Sequence, residues 1–170
     1  KELRIATYNI HYMTNLYENT NTYKGILSDI KKINADFIGL QEFILGNIVK
    51  INEELYINLN NFYEDIESLG YNKSIICNSV PSWFSAIYGN ILLIKNYCTN
   101  TICEKLDENI YTFQKSTKTT LVSGTHKGIR ETRCFIKVRI EYNQYIIHLY
   151  TTHLDIASEE TRTEQMNYII

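Results

Sequence analysis

The sequence has little of the features that mark several classes of protein. It contains one proline, Pro81, and no low-complexity tract or internal repeat, which argues against a disordered hinge. No apolar run approaches the roughly 20 residues that a membrane-spanning helix needs. The formal net charge is −2, from 17 Lys and Arg against 19 Asp and Glu. This charge does not indicate tight nonspecific nucleic-acid binding, although it leaves open a local basic groove.

The sequence has four cysteines, and their spacing does not suit a metal. The sequence has no C-x-x-C pair and no His-x-x-x-His companion, so a zinc site is not expected. Cys98 and Cys103 are close enough to meet in a hairpin, but we expect the cysteines to be isolated thiols packed as small hydrophobic side chains. Isolated thiols favour a reducing compartment and hence a soluble, intracellular protein. The chain starts at Lys1 rather than Met, so the alternative that an N-terminal leader has already been removed stays open.

The composition that remains is typical of one globular domain. With 170 residues, 44% hydrophobic and 21% charged, the chain is long enough to bury a substantial core. Its pattern predicts a strand over Leu3–Ile10, a helix over Lys24–Ile33 that starts near Thr22, and a short apolar strand over Phe37–Gln41. An apolar strand of this kind is usually buried on both faces. Strand, helix and strand in this order indicate an α/β-type unit.

Further helices and then several strands follow. Apolar spacing predicts helices over Phe43–Leu59 and Asn60–Gly70. From Tyr71 onward, turns rich in Asn, Ser and Gly separate predicted strands, which cover Tyr71–Cys77, Gly89–Lys95, Ile110–Phe113, Arg130–Tyr142 and Gln144–His153. Glu141–Gln144 is a hairpin candidate, and Ser158 is the expected N-cap of a final helix.

Three polar residues stand at the ends of apolar strands. Asn9 closes the first strand, Glu42 follows the second and His153 ends the last. A glutamate beside an amide suits Mg²⁺, which uses few carboxylates and keeps several waters. The histidine can donate a proton to a leaving oxygen, and Arg133 can hold a phosphate through paired donors. Each residue also has a plain interpretation, as an ion-pair partner, a structural histidine or a turn former.

The motifs, taken in order, resemble those of the endonuclease/exonuclease/phosphatase superfamily. The matching segments are Arg4–His11, Ala35–Glu42, Tyr88–Ile94 with Glu131–Arg133 downstream, and Thr152–Asp155 followed by Glu160, Arg162 and Gln165. That superfamily includes deoxyribonuclease I, abasic-site endonucleases, deadenylases, sphingomyelinases and inositol polyphosphate 5-phosphatases. The resemblance implies an α+β fold in which two mixed β-sheets pack face to face with helices on both outer faces, a four-layer α/β/β/α sandwich.

The resemblance also implies roles for single residues. Glu42 matches the glutamate that binds the essential Mg²⁺, with Mn²⁺ as a possible substitute. Asn9 matches the asparagine beside that metal and is expected to belong to both the metal site and the catalytic residues. His153 matches the histidine that contacts the scissile phosphate or assists the leaving group. Asn90 and Arg133 match positions near the phosphate. The implied activity is metal-dependent hydrolysis of a phosphoester in a nucleic acid, a phospholipid or a phosphoinositide, with no obligate protein partner.

Two motifs that complete such sites are missing from their usual place. Neither an Asp-x-Asn segment nor an Asp-His pair follows Thr152–Asp155. We therefore expect residues 1–170 to form one domain of this type that lacks its C-terminal part and is inactive by itself. Two alternatives stay open. One is a catalytically dead member that binds through the same cleft, and the other is an unrelated α+β domain in which Asn9, Glu42 and His153 lie far apart.

Overall fold

A computed structural model of the protein describes residues 2–15, 20–45, 61–79, 87–96, 105–112, 133–154 and 159–170. In chain order, its strands and helices are β1 (Ile5–Asn9), β2 (Thr14–Asn15), β3 (Thr20–Asn21), α1 (Tyr23–Ile33), β4 (Phe37–Leu45), α2 (Phe62–Ser68), β5 (Tyr71–Ser79), β6 (Ile87–Lys95), β7 (Lys105–Thr112), β8 (Cys134–Tyr142), β9 (Tyr145–Thr152) and α3 (Glu159–Ile169). A single 3₁₀ turn, His11–Met13, follows β1, and β2 and β3 form a small antiparallel pair.

The longer strands form two sheets that pack against each other. The first sheet has the order β1-β4-β6-β5, with β1 parallel to β4 and the other neighbours antiparallel. The second sheet is antiparallel, in the order β7-β8-β9. The core between the sheets consists of buried side chains from both, which are Phe37, Ile75, Cys77, Leu92, Ile94, Cys134, Ile136, Val138 and Ile140.

Helices cover the outer faces of both sheets. On the first sheet, α1 and α2 pack through a second buried cluster, formed by Ile10, Met13, Ile26, Ile30, Ala35, Ile38, Leu40, Phe43, Phe62, Ile66, Tyr71, Ile91 and Leu93. On the second sheet, the Tyr168 ring of α3 lies 6.2 Å from the ring of Phe135. Phe135 alternates along β8 with residues that face the other sheet, so α3 lies on the outer face. The predicted four-layer α/β/β/α sandwich is therefore confirmed.

Strand β4 is longer than predicted. The helix expected from Phe43 to Leu59 is wrong at its first three residues, because β4 runs on to Leu45 and pairs there with β6. The Phe43 side chain enters the core beneath the helices and lies 4.9 Å, ring to ring, from Phe62 of α2. Apolar residues that fit a helical stripe therefore continue a buried strand here. The rest of that predicted helix lies outside the described residues.

Other predicted elements are confirmed. Helix α1 begins at Tyr23, directly after Thr22, whose side chain makes no capping hydrogen bond. Helix α2 lies within the predicted Asn60–Gly70. The hairpin between β8 and β9 turns at Asn143 and Gln144, which both have positive φ, 48° and 68°. Two such residues in succession are the mark of a type I′ turn. The predicted cap at position 158 lies outside the described residues.

The cysteine prediction is wrong for one pair. Cys77 and Cys134 form a disulfide between the two sheets. Both side chains point into the inter-sheet core, where strands distant in sequence become neighbours. The prediction of a reducing compartment depended on isolated thiols, so the disulfide removes its support. Cys98 and Cys103 lie outside the described residues. No helix in the described ranges is long and apolar enough to cross a membrane.

The close approach of the sheets at Gly39 yields a prediction. A Cβ atom at Gly39 would lie 2.5 Å from Oγ1 and 3.0 Å from Cβ of Thr151. The Gly39→Ala variant should therefore lose about 1–3 kcal/mol of unfolding free energy, the usual cost of overpacking. Urea unfolding measures this loss as a lower midpoint concentration, and the m value should stay unchanged.

Gly25→Ala is the matched control for this experiment. Gly25 lies within α1, and a Cβ atom there meets nothing within 4 Å. Alanine favours a helix over glycine by up to about 1 kcal/mol, so this variant should be as stable as the wild type or more stable. A Gly39→Ala protein as stable as the Gly25→Ala protein would contradict the proposed tightness of the sheet packing.

Candidate active site

The strand topology brings four of the predicted site residues to one edge of the sandwich. Asn9 ends β1 and pairs with Gln41 of the parallel strand β4, so Glu42 lies one residue beyond that pair. Strands β8 and β9 are antiparallel, so Arg133, just before β8, and His153, just after β9, lie side by side. Packing of the two sheets brings these strand ends together.

A continuous set of contacts joins the four side chains. Nδ2 of Asn9 donates a hydrogen bond to Oε1 of Glu42 at 3.1 Å. The same oxygen lies 3.7 Å from Nε2 of His153, and Nδ1 of His153 lies 3.1 Å from Nη1 of Arg133. The asparagine, the glutamate and the histidine therefore converge. The alternative of an unrelated domain with these residues far apart does not describe this structure.

An irregularity in β4 presents Glu42 to the site. Its φ is +56°, a left-handed conformation that costs a residue with a side chain about 1–2 kcal/mol. The pairing of β4 with β6 shifts register between Leu40 and Phe43. Bulges of this kind re-aim a side chain. Here the neighbours Gln41 and Phe43 stay buried, while the Glu42 carboxylate points toward His153.

One oxygen of the Glu42 carboxylate has no hydrogen-bond partner among the residues that the structure describes. The side chain is 12% exposed, and Oε2 is buried with no hydrogen-bond partner among the described residues. Asn9 is held so that it serves the other oxygen, because its Oδ1 accepts a hydrogen bond from the His11 N–H at 3.0 Å. A buried polar atom without a partner is costly, and a carboxylate oxygen is a ligand that hard divalent cations prefer.

The Glu42 carboxylate beside the Asn9 amide is compatible with Mg²⁺ or Mn²⁺. Mg²⁺ uses one or two carboxylates and keeps several waters, and Glu42 supplies one carboxylate. In the part of the chain that the structure describes, no group of three or more His, Cys, Asp or Glu residues could hold a metal ion. Glu42 is therefore the candidate ligand, and Asn9 orients it.

Arg133 determines which nitrogen of His153 carries the proton. A guanidinium can only donate hydrogen bonds, so Nδ1 of His153 accepts from Arg133 and Nε2–H faces Glu42. Burial lowers the pKa of His153 from its ordinary value, and the positive charge of Arg133 lowers it further, while the Glu42 carboxylate acts in the opposite direction. The ring is therefore neutral at pH 7.

Asn90 lies between the sheets and outside this set of contacts. It is 1% exposed, and its Nδ2 donates a hydrogen bond to the backbone oxygen of Cys134 at 3.1 Å. Its predicted contact with phosphate has no support in these interactions and stays a prediction. Arg133 does reach the site, but it is 4% exposed and donates to His153. Its predicted contact with phosphate also stays a prediction.

Two threonines with no role predicted from the sequence, Thr151 and Thr152, support the site together with Gln41. Oγ1 of Thr152 donates a hydrogen bond to the backbone oxygen of Cys134 at 3.1 Å. Nε2 of Gln41 reaches across the sheets to Oγ1 of Thr151 at 3.1 Å. The available signal was the pair of threonines directly before His153, since neighbouring residues of a strand face opposite sides. One threonine could therefore be expected to face the core.

Known structures share this fold. An endonuclease/exonuclease/phosphatase family protein from Leptotrichia buccalis C-1013-b matches with a TM-score of 0.59 and 18% identity, over 99% of this chain and 63% of that protein. An endonuclease/exonuclease/phosphatase from Beutenbergia cavernae DSM 12333 matches with a TM-score of 0.63 and 14% identity, over 97% of this chain and 41% of that protein. Neither a protein-family model nor a curated protein matches the sequence.

Two facts follow from these matches. The resemblance that the motifs predicted is confirmed at the level of the fold, which is that of the endonuclease/exonuclease/phosphatase proteins. The chain spans less than two thirds of the length of either matching protein. At these identities, the matches establish architecture, and the chemistry must be argued from the site.

The charges around His153 predict opposite effects of two substitutions on its pKa. Arg133→Met removes a cation and should raise the pKa of His153 toward its ordinary value of 6.5. Glu42→Gln removes an anion and should lower the pKa further. NMR titration of the imidazole in metal-free buffer measures both shifts. A wild-type pKa at or above 6.5, or shifts of equal sign in the two variants, would contradict the arrangement.

Proposed function

We propose that this chain forms part of the active site of a metal-dependent phosphoester hydrolase of the endonuclease/exonuclease/phosphatase family. The observation that carries the proposal is the contact set at the strand ends. There the Glu42 carboxylate lies between the amide of Asn9 and the imidazole of His153, and its Oε2 has no partner in the described part of the chain. The fold supports the proposal only in combination with these residues, because one fold hosts many functions.

In the proposed site each residue has a distinct task. Glu42 would hold a divalent cation, Mg²⁺ or Mn²⁺, and Asn9 would keep its carboxylate in place. Such an ion, when bound, polarises a phosphoryl oxygen and offsets developing negative charge. His153 directs its Nε2–H into the same space and would donate a hydrogen bond to a phosphoryl oxygen. Arg133 holds the ring in that tautomer from behind.

The lowered pKa of His153 favours one of its two predicted roles. A histidine that protonates a leaving oxygen must carry a second proton, and the lowered pKa of His153 disfavours that form at pH 7. A hydrogen bond to the scissile phosphate needs only the neutral ring. We therefore assign His153 to stabilisation of the phosphate, and we assign the activation of the attacking water to none of these four residues.

The metal role of Glu42 is tested by binding. Glu42→Gln keeps the size of the side chain but replaces the carboxylate with an amide, so Mn²⁺ affinity should fall by about tenfold or more. Isothermal titration or Mn²⁺ electron paramagnetic resonance measures the affinity. Glu67→Gln, on the exposed surface of α2, is the matched control and should bind Mn²⁺ like the wild type. Equal affinities in the two variants would remove Glu42 from the metal site.

The role of His153 is tested by turnover in the full-length protein. With Mg²⁺ and bis(p-nitrophenyl) phosphate, His153→Ala should lower kcat by about 10²- to 10³-fold, the usual loss for one transition-state donor. Mn²⁺ affinity should be retained, because Glu42 and Asn9 are unchanged. His148→Ala, at an exposed position of β9, is the control and should keep full activity. A His153→Ala enzyme with wild-type kcat would contradict the assignment.

The proposed substrate is a nucleic acid, a phospholipid or a phosphoinositide. Nucleic acids, phospholipids and phosphoinositides all present a phosphoester to such a site, so a panel of the three with Mg²⁺ identifies the substrate. Binding of a phosphoester without turnover in the full-length protein would instead favour a binding module that uses the same cleft.

A further inference from the structure

A covalent bond joins the two sheets directly behind the candidate site. Cys77 belongs to β5 of the first sheet and Cys134 begins β8 of the second sheet. The two residues form a disulfide with a Cα–Cα distance of 6.1 Å, and both side chains are fully buried. The two halves of the sandwich are therefore tied together at this point.

Polar contacts hold the backbone at the Cys134 end of this bond. The backbone oxygen of Cys134 accepts hydrogen bonds from Nδ2 of Asn90 in the first sheet and from Oγ1 of Thr152 in the second, both at 3.1 Å. Asn90 also pairs with Cys77 across β5 and β6, and its Nδ2 lies 3.7 Å from the Cys77 sulfur. The Cys134 peptide is thus fixed from both sheets at once.

The residues adjacent to these anchors belong to the candidate site. Arg133 directly precedes Cys134, and His153 directly follows the threonine that bonds to the Cys134 carbonyl. Glu42, by contrast, belongs to the first sheet. The distance of 3.7 Å between Nε2 of His153 and Oε1 of Glu42 therefore depends on how the second sheet packs against the first.

We infer that the inter-sheet disulfide, together with Asn90, positions Arg133 and His153 opposite the Glu42 carboxylate. The two cysteines and Asn90 act through these residues and are positioning residues, not catalytic ones. An error of about 1 Å in the placement of a reacting group can lower a rate by about 10²-fold. Breaking the link should therefore reduce turnover and leave metal binding unchanged, because the proposed ligand Glu42 and the Asn9 that orients it both belong to the first sheet. The catalytic readout rests on the proposed function, whereas the structural readout does not.

The test compares oxidised and reduced forms of the full-length protein in which Cys98, Cys103 and any further cysteine are replaced with serine. Ellman's reagent in denaturant should detect the thiols of Cys77 and Cys134 only after treatment with dithiothreitol. Dithiothreitol reduces the disulfide to two thiols and is itself oxidised to a cyclic disulfide. Reduction should lower kcat by about tenfold to 10²-fold, without a change in Mn²⁺ affinity.

Two variants and one spectroscopic readout separate positioning from general stability. Asn90→Leu keeps the branching and the number of heavy atoms of the side chain but removes the donor, so it should lower kcat in the oxidised protein. Val138→Ala trims the inter-sheet core on β8 without touching the link, so it should lower stability and leave kcat unchanged. At fixed pH, reduction should move the imidazole NMR signals of His153 and leave those of the exposed His148 in place.

The possible outcomes distinguish this inference from the proposed function. Free thiols before reduction would overturn the inference. So would equal kcat and unchanged His153 signals in the two forms, and the hydrolase would then stand without it. A loss of kcat in Val138→Ala as large as that on reduction would also overturn it. An absence of hydrolysis in every form would count against the proposed function. In that case, His153 signals that move on reduction would support the inference about the disulfide, and His153 signals that stay in place would overturn it.

Discussion

The packing of the two sheets at the level of Gly39 and Thr151 is the constraint on which the site depends. A side chain at position 39 would collide with the threonine hydroxyl, so the strands approach each other only because β4 has a glycine there. Gln41 uses this proximity to donate a hydrogen bond across the gap to Thr151. One residue further on, Glu42 meets His153. The site is therefore a property of the interface between the sheets, and neither sheet contains it alone.

Much of this arrangement could be predicted because local sequence specifies it. Apolar runs mark the buried strands, and a polar residue at the end of such a run stands out against its neighbours, as Asn9, Glu42 and His153 do. The turn at Asn143 and Gln144 is likewise local, since two residues with positive φ suit a short hairpin. The order of the layers came from the resemblance of the motifs, and the structure confirms it.

What could not be predicted depends on contacts between distant parts of the chain. Cys77 and Cys134 are separated by 57 residues, and strand alternation can show that each faces the core but not that they face each other. The prediction of a helix beginning at Phe43 was wrong for a related reason, because short apolar runs fit a helix or a buried strand equally well. Only the pairing with β6 decides between the two.

Asn90 is a case in which the sequence held a signal that went unused. Leu92 and Ile94, two and four residues later on β6, both face the inter-sheet core. Strand alternation therefore places Asn90 on the same inward face, away from solvent. A polar residue on such a face needs an internal partner, and the Cys134 carbonyl supplies one.

The backbone of Glu42 has a consequence for how this position changes over evolutionary time. Glycine adopts a left-handed conformation freely, and asparagine does so more easily than glutamate. A glutamate at φ +56° carries a backbone cost that a glycine there would avoid, and its contacts with Asn9 and His153 offset part of that cost. If Glu42 holds a metal ion as proposed, lineages that lose that role should drift toward glycine or asparagine at this position and gain thermal tolerance as they do.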